Sequence, residues 1–178
     1  MRLIANILLH TLFAAFLCCM ESHAQSKAVT SSWSYNGVGI GYEQKIDEKK
    51  FIQIDLRSEL AELFYTRNAP IGASASFTWN VIFAQHQSRH GNKIVYFAGP
   101  GATIGWSTDT GSAPGLFFGL KGRIGVQCAF ERGLALSVSA APVLGMHASA
   151  KKNAVNMRLY RNGLTYGMLP EVGIKYLF

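Results

Sequence analysis

The chain has 178 residues, 49% of them apolar and 15% charged, and carries a formal net charge of +7. That length suits one ordinary domain rather than two. Its basic residues are scattered singly or in pairs such as Lys49-Lys50 and Lys151-Lys152, so there is no basic block of the kind that binds nucleic acid.

The first element is a leader. Arg2 precedes an apolar run over residues 3–20, and Ser22-His23-Ala24 follows. Basic, then apolar, then small-x-small is the order of a secretory signal peptide, with cleavage expected after Ala24 and a single domain over 25–178. The run is about long enough to span a membrane, but Glu21 and the cleavage site follow it directly, with no basic stop-transfer cluster. Cys18 and Cys19 could carry a lipid anchor, except that Phe16 and Leu17 stand where small residues are needed. Once the leader is removed only Cys128 remains, so no intramolecular disulfide forms, and this thiol reads as a small apolar surface residue. Arg2 and Glu21 leave together, and the charge stays at +7.

Beyond the leader no stretch is long and apolar enough for a spanning helix, and the hydrophobicity is instead spread with period two, the signature of strands. Residues 26–34, with Ala28-Val29-Thr30-Ser31-Ser32-Trp33, have acceptable strand propensity rather than clear alternation and are taken as a strand because an even count needs an eighth, with a turn at Tyr35-Asn36-Gly37. In 36–46, Val38, Ile40 and Tyr42 alternate with glycines. In 51–65, Ile52, Ile54 and Leu56 oppose Gln53, Asp55 and Arg57. Residues 71–87 set Phe77, Trp79, Val81 and Phe83 against Ser74, Ser76, Thr78 and Asn80, and 93–106 carry Ile94, Tyr96, Ile104 and Trp106 on one face. Residues 115–131 place Leu116, Phe118, Leu120, Ile124, Val126, Cys128 and Phe130 against Gly119, Lys121, Arg123, Gln127 and Glu131. Residues 134–148 set Leu134, Leu136, Val138, Leu144 and Met146 against Ser137, Ser139, Gly145 and His147. The last segment, 164–178, puts Leu164, Tyr166, Met168, Pro170, Val172, Ile174, Tyr176 and Phe178 on the even positions.

The connections alternate in length. Those at 47–50, 89–92 and 131–133 are short; those at 66–70, 107–114 and 149–163 are longer. Transmembrane barrels have short periplasmic turns, longer outer loops and an even strand count, so eight strands are expected with Phe178 at the periplasmic end. A soluble sandwich or lipocalin-like barrel would alternate too, with its apolar face turned to a dry core. Here the opposite face carries Asp55, Arg57, Lys121, Arg123, Glu131, Glu171 and Lys175, and Trp106, Tyr166, Tyr176 and Phe178 fall near strand ends as interface girdles do. The expected fold is all-β, a transmembrane antiparallel barrel. Eight strands leave an interior just wide enough for side chains. Glu43, Asp55, Arg57, Glu59, Lys121, Arg123, Glu131, Glu171 and Lys175 are therefore expected to pair inside it rather than line a small-solute pore, because buried charge is costly unless paired.

The terminal Gly173-Ile174-Lys175-Tyr176-Leu177-Phe178 resembles the signal by which outer-membrane barrels are recognised for insertion. Residues 99–106, 115–131 and 134–142 resemble small outer-membrane barrels of Bacteroidetes-type bacteria, loosely the outer membrane protein X, W and A group. The resemblance implies a Gram-negative outer-membrane location, with Tyr176 and Phe178 read by the barrel-assembly machinery. It also implies a monomer among outer-membrane lipid and lipopolysaccharide, whose phosphates suit a basic surface. It implies no cofactor and no chemistry. His147-Ala148-Ser149 resembles the His-x-Ser motif of lipid A deacylase barrels, in which a carboxylate such as Glu171 would orient the imidazole. Ala150 replaces that family's Asn, and His147 has inward parity, so the non-enzymatic reading is preferred. His86 and His90 lack a third metal ligand at suitable spacing, so no metal is expected, and Gly99-Pro100-Gly101 is followed by no phosphate-loop residues.

Overall fold

The computed structural model describes residues 26–60, 70–88, 92–110, 112–130, 133–151 and 154–178; the leader, His90 and Glu131 lie outside these. The described residues form ten strand segments: β1 (Lys27–Ser34), β2 (Gly37–Asp47), β3 (Lys50–Glu59), β4 (Gly72–Gln87), β5 (Lys93–Ser107), β6 (Gly115–Ala129), β7 (Leu134–Ala140), β8 (Val143–Lys151), β9 (Ala154–Leu159) and β10 (Glu171–Leu177). One short helix, α1 (Arg161–Thr165), lies between the last two.

Each strand pairs antiparallel with its chain neighbour from β1 to β7, and β10 joins β7 to β1, which closes the ring. β7 and β8 act as one strand. Ile124 pairs with Ala140 and Lys121 with Val143, so the register against β6 is unbroken across Ala141-Pro142. Pro142 has no N–H to give, but its carbonyl still accepts from Gly122 N–H at 2.9 Å. β9 and β10 lie along that composite strand, β9 on β8 and β10 on β7. The result is a closed antiparallel barrel of eight strands.

The period-two reading is borne out in the faces. On β6, Leu116, Phe118, Leu120 and Ile124 point outward and are exposed, while Phe117, Lys121, Arg123 and Gln127 are buried inside. The same holds on β4, where Phe77, Trp79 and Val81 are exposed and Ser76, Thr78 and Asn80 buried. A soluble barrel has these faces reversed. The opening strand and its turn form as expected. Gly37, at φ +153°, is suited to that turn, since a Cβ there would stand 1.9 Å from the Ser58 carbonyl oxygen.

Two expectations from the sequence are corrected. Residues 164–170 are not strand, and 149–163 are not a loop: β8 runs to Lys151 and β9 returns from Ala154. Seven steps separate Ser139 from Met146 on one strand, whereas twelve separate their partners Glu171 and Leu159 on the other. This surplus of five lets the eleven residues 160–170 leave the wall as an excursion. Within it Tyr166 N–H donates to Asn162 O and Met168 N–H to Leu164 O, the helical pattern. An odd surplus also inverts parity, so β9 exposes Val155, Met157 and Leu159 at odd positions while β10 exposes Val172, Ile174 and Tyr176 at even ones. The even-numbered apolar residues of 164–170 thus imitate the parity of β10. Two ends are also trimmed: β3 stops at Glu59, with 61–69 outside the described residues, and β6 stops at Ala129.

Candidate functional site: the charged lumen and its rim

Inward parity brings the predicted ionisable residues together. Near the termini, Lys175 Nζ donates to Glu43 Oε2 at 2.5 Å and to Gln127 Oε1 at 2.8 Å. The same ammonium lies 5.4 Å and 5.5 Å from the ring centroids of Phe51 and Phe97, which meet edge to face. Cation–π attraction of this kind strengthens when desolvated.

In the middle layer Asp55 accepts from Gln53 Nε2 at 2.6 Å and stands 3.7 Å from Lys121 Nζ and 3.8 Å from Arg123 Nη1. Arg123 also reaches Glu171 at 3.5 Å and Ser139 Oγ at 3.3 Å, and Lys121 donates to Ser76 Oγ at 2.7 Å. Above it Arg57 donates to Glu171 and to Ser34 Oγ. Glu59 accepts from Asn36 and Ser74 and has no ion-pair partner among the described residues.

Four carboxylates (Glu43, Asp55, Glu59, Glu171) thus meet four cations (Arg57, Lys121, Arg123, Lys175), so the lumen set is neutral when all are ionised. The described cations outside the lumen, among them Lys27, Lys49, Lys50, Lys93 and Lys151, lie at strand ends or in connections. Of the sequence-predicted network, eight members fall inside the barrel and Glu131 lies outside the described residues. Free space inside is small. A cavity of about 30 Å³ lies beside Glu59, Lys121 and Tyr160, and one of about 130 Å³ opens at the terminal end beside Lys45, Phe51 and Lys93. Neither is lined by Asp55, Phe97, Arg123 or Lys175, the residues of the layer between them.

The opposite rim is held by the excursion. Tyr160 is buried, stacked on Phe117 with centroids 4.3 Å apart, and lies 6.2 Å from the His147 ring. Asn162 ties the excursion to the connection between β5 and β6: its N–H donates to Asp109 Oδ1 at 2.9 Å, its Nδ2 to Thr108 O, and its Oδ1 accepts from Thr110. Arg158 stands 3.6 Å from Asp109 Oδ2 and donates to Thr110 O at 2.9 Å.

The three residues of the deacylase-like motif are not joined in this way. His147 Nε2 contacts Ser107 O at 3.0 Å, Glu171 is engaged by Arg57 and Arg123, and Ser149 is buried at the next inward position of β8. His86 is on β4, and no group of three potential metal ligands occurs among the described residues. At the other end, Lys27 and Phe178 exchange two backbone hydrogen bonds, and Tyr176 stacks on Phe178 at 6.3 Å.

No family model matches the chain, and neither does any curated protein. Among solved structures, the N-terminal β-barrel domain of Pseudomonas aeruginosa OprF is similar, with a TM-score of 0.50 and 10% identity, covering 88% of this chain and 100% of that one. This chain has the fold of that barrel. A second likeness, to Neisserial surface protein A, has a TM-score of 0.39 and 14% identity over 85% of this chain and 93% of that one. At such identity the first likeness speaks for architecture alone.

Several site residues were not singled out from the sequence. Phe51, Phe97 and Phe117 are buried in the lumen, and only their inward parity could have flagged them. Asp109, Arg158 and Asn162 sit in or near connections and meet across about fifty residues of chain, which no local pattern encodes.

Proposed function

We propose that this chain is an integral protein of the Gram-negative outer membrane, exported by the leader over 1–24, with its lumen closed by its own side chains. One observation carries the reading: a closed ring of strands with apolar side chains outside and, inside, a charge-balanced set in which every described member but Glu59 is ion-paired. In lipid every backbone polar group needs an internal partner, which a closed barrel supplies. The terminal end faces the periplasm, and Tyr176 and Phe178 form the signal read by the assembly machinery. A monomer surrounded by outer-membrane lipid and lipopolysaccharide suits the outward apolar band and the positive ends. Kinship with the outer membrane protein X, W and A barrels is part of this proposal and rests on the resemblance of residues 99–106, 115–131 and 134–142. The role is structural, or one of surface interaction through the rim.

The lumen does not conduct in this reading, since the layer of Asp55, Arg123, Phe97 and Lys175 separates two small cavities. Purified, refolded protein that migrates heat-modifiably on gels is expected to give no stable unitary conductance in planar bilayers. Reproducible open-channel steps whose ion selectivity changes in Arg123→Glu would move the function to transport.

A further inference from the structure

We propose that the cavity at the terminal end of the barrel binds a small carboxylate, either a free short-chain acid or the carboxylate terminus of a peptide that ends in a small apolar residue. The first observation is its floor. Gln127 is 8% exposed and lines the cavity. Its Oε1 accepts from Lys175 Nζ at 2.8 Å, and an ammonium can only donate, so the orientation of the amide is fixed. Nε2, the other end of that amide, has no acceptor among the described residues. A donor buried to this degree takes an acceptor from water or from a ligand.

Charge at the mouth is the second observation. Lys45 pairs across the sheet with Phe51, and Lys93 lies two residues before Val95 on β5. Phe51 and Val95 are buried inward residues, so both lysines have inward parity, and both line the cavity. Lys27 reaches it as well. Of the two carboxylates there, Glu43 is held by Lys175 at 2.5 Å, which leaves Glu48 against Lys27, Lys45 and Lys93. That balance attracts an anion.

The third observation is size. The cavity measures about 130 Å³, with Phe51 and Val95 among its apolar walls. An apolar cavity of about 150 Å³ takes one benzene, so this space admits a carboxylate with a few carbons, and the rest of a peptide would lie outside the mouth. Phe97, Arg123 and Lys175 do not line it, so it ends at their layer and a ligand enters and leaves by one opening. A carboxylate in it accepts from Gln127 Nε2 and lies between the Lys45 and Lys93 ammonium groups, while its carbons meet Phe51 and Val95. Hydrogen bonds to an ionised acceptor are the strong ones. That the mouth opens to the periplasm rests on the reading above; the site itself does not.

The test is an NMR titration of isotope-labelled, refolded, heat-modifiable protein in zwitterionic micelles. The probes are N-acetyl-alanyl-alanine, butyrate, and the C-terminal amide of the peptide, which keeps its size and removes its charge. The expected result is a saturable shift of the Gln127 side-chain amide and of the Phe51 and Val95 backbone amides with a carboxylate probe, and none with the amide probe. Lys45→Gln combined with Lys93→Gln should weaken binding by about tenfold or more, because two charged donors are lost. Lys49→Gln combined with Lys50→Gln, at the neighbouring turn but outside the cavity, should leave affinity unchanged. Tighter binding of the peptide assigns the site to a peptide terminus, and tighter binding of butyrate to a free acid; both support it. No saturable shift with either carboxylate, an equal shift with the amide, undiminished affinity without Lys45 and Lys93, or an equal loss without Lys49 and Lys50 would overturn the site and leave the barrel reading intact.

Discussion

At the scale of single residues, Lys175 shows how the interior is held. It is fully buried, yet its ammonium has a carboxylate, an amide oxygen and two aromatic faces around it. Removing one member of a buried ion pair strands the other, at a typical cost of 3–5 kcal/mol, whereas removing both charges together is far less costly. Lys175→Met is therefore expected to destabilise the vesicle-inserted barrel by about 3–5 kcal/mol in urea unfolding followed by tryptophan fluorescence. Adding Glu43→Gln should restore much of that loss. A double variant as unstable as the single one would show that the charges are not coupled.

At the scale of elements, the excursion over 160–170 is where the sequence misleads. The outward faces of β1 to β8 were legible because each strand keeps one parity over most of its length, as Leu116 to Ile124 do on β6, the register shifts after Lys45 on β2 and Ile82 on β4 falling beyond the runs that carry the pattern. The eighth strand changes parity part-way, so a single alternation drawn through Leu164 to Phe178 overran into a helix and a turn. The charged residues of the lumen were legible for the same reason as the faces. Their partners were not, because Glu171 reaches Arg57 across 114 residues and nothing local encodes which cation it meets. His147 shares a sequence motif with Ser149, whereas the hydroxyl beside its Nδ1, that of Ser112 at 3.5 Å, comes from a different connection.

The excursion also makes a testable claim about close packing. Gly167 O accepts from Ala141 N–H at 2.7 Å, and a Cβ on Gly167 would lie 2.3 Å from Gly163 O within the excursion and 2.7 Å from both Ala141 O and the Pro142 Cα. At Gly122, across the strand, a Cβ would meet only Pro142 Cγ at an ordinary 3.9 Å. Gly167→Ala should lower stability by about 1–3 kcal/mol, the usual cost of overpacking. Gly122→Ala should be neutral or slightly stabilising, since it restricts the unfolded chain. Equal effects in urea unfolding would mean that the excursion does not rest on Ala141-Pro142 as described.

At the scale of the whole molecule, the account comes down to which side of the barrel is apolar and what lies against it. The ring is closed, the charges inside are balanced, and the outward side chains from Trp33 to Tyr176 form the apolar face. The most direct measurement is spin-label accessibility along β6 in lipid vesicles, with Cys128 first replaced by Ala. Labels at 116, 118, 120 and 124 should relax with oxygen, which concentrates in the bilayer, and those at 117, 121 and 123 should be shielded from it. Accessibility without that two-residue period, or with the odd positions facing lipid, would contradict the inverted barrel.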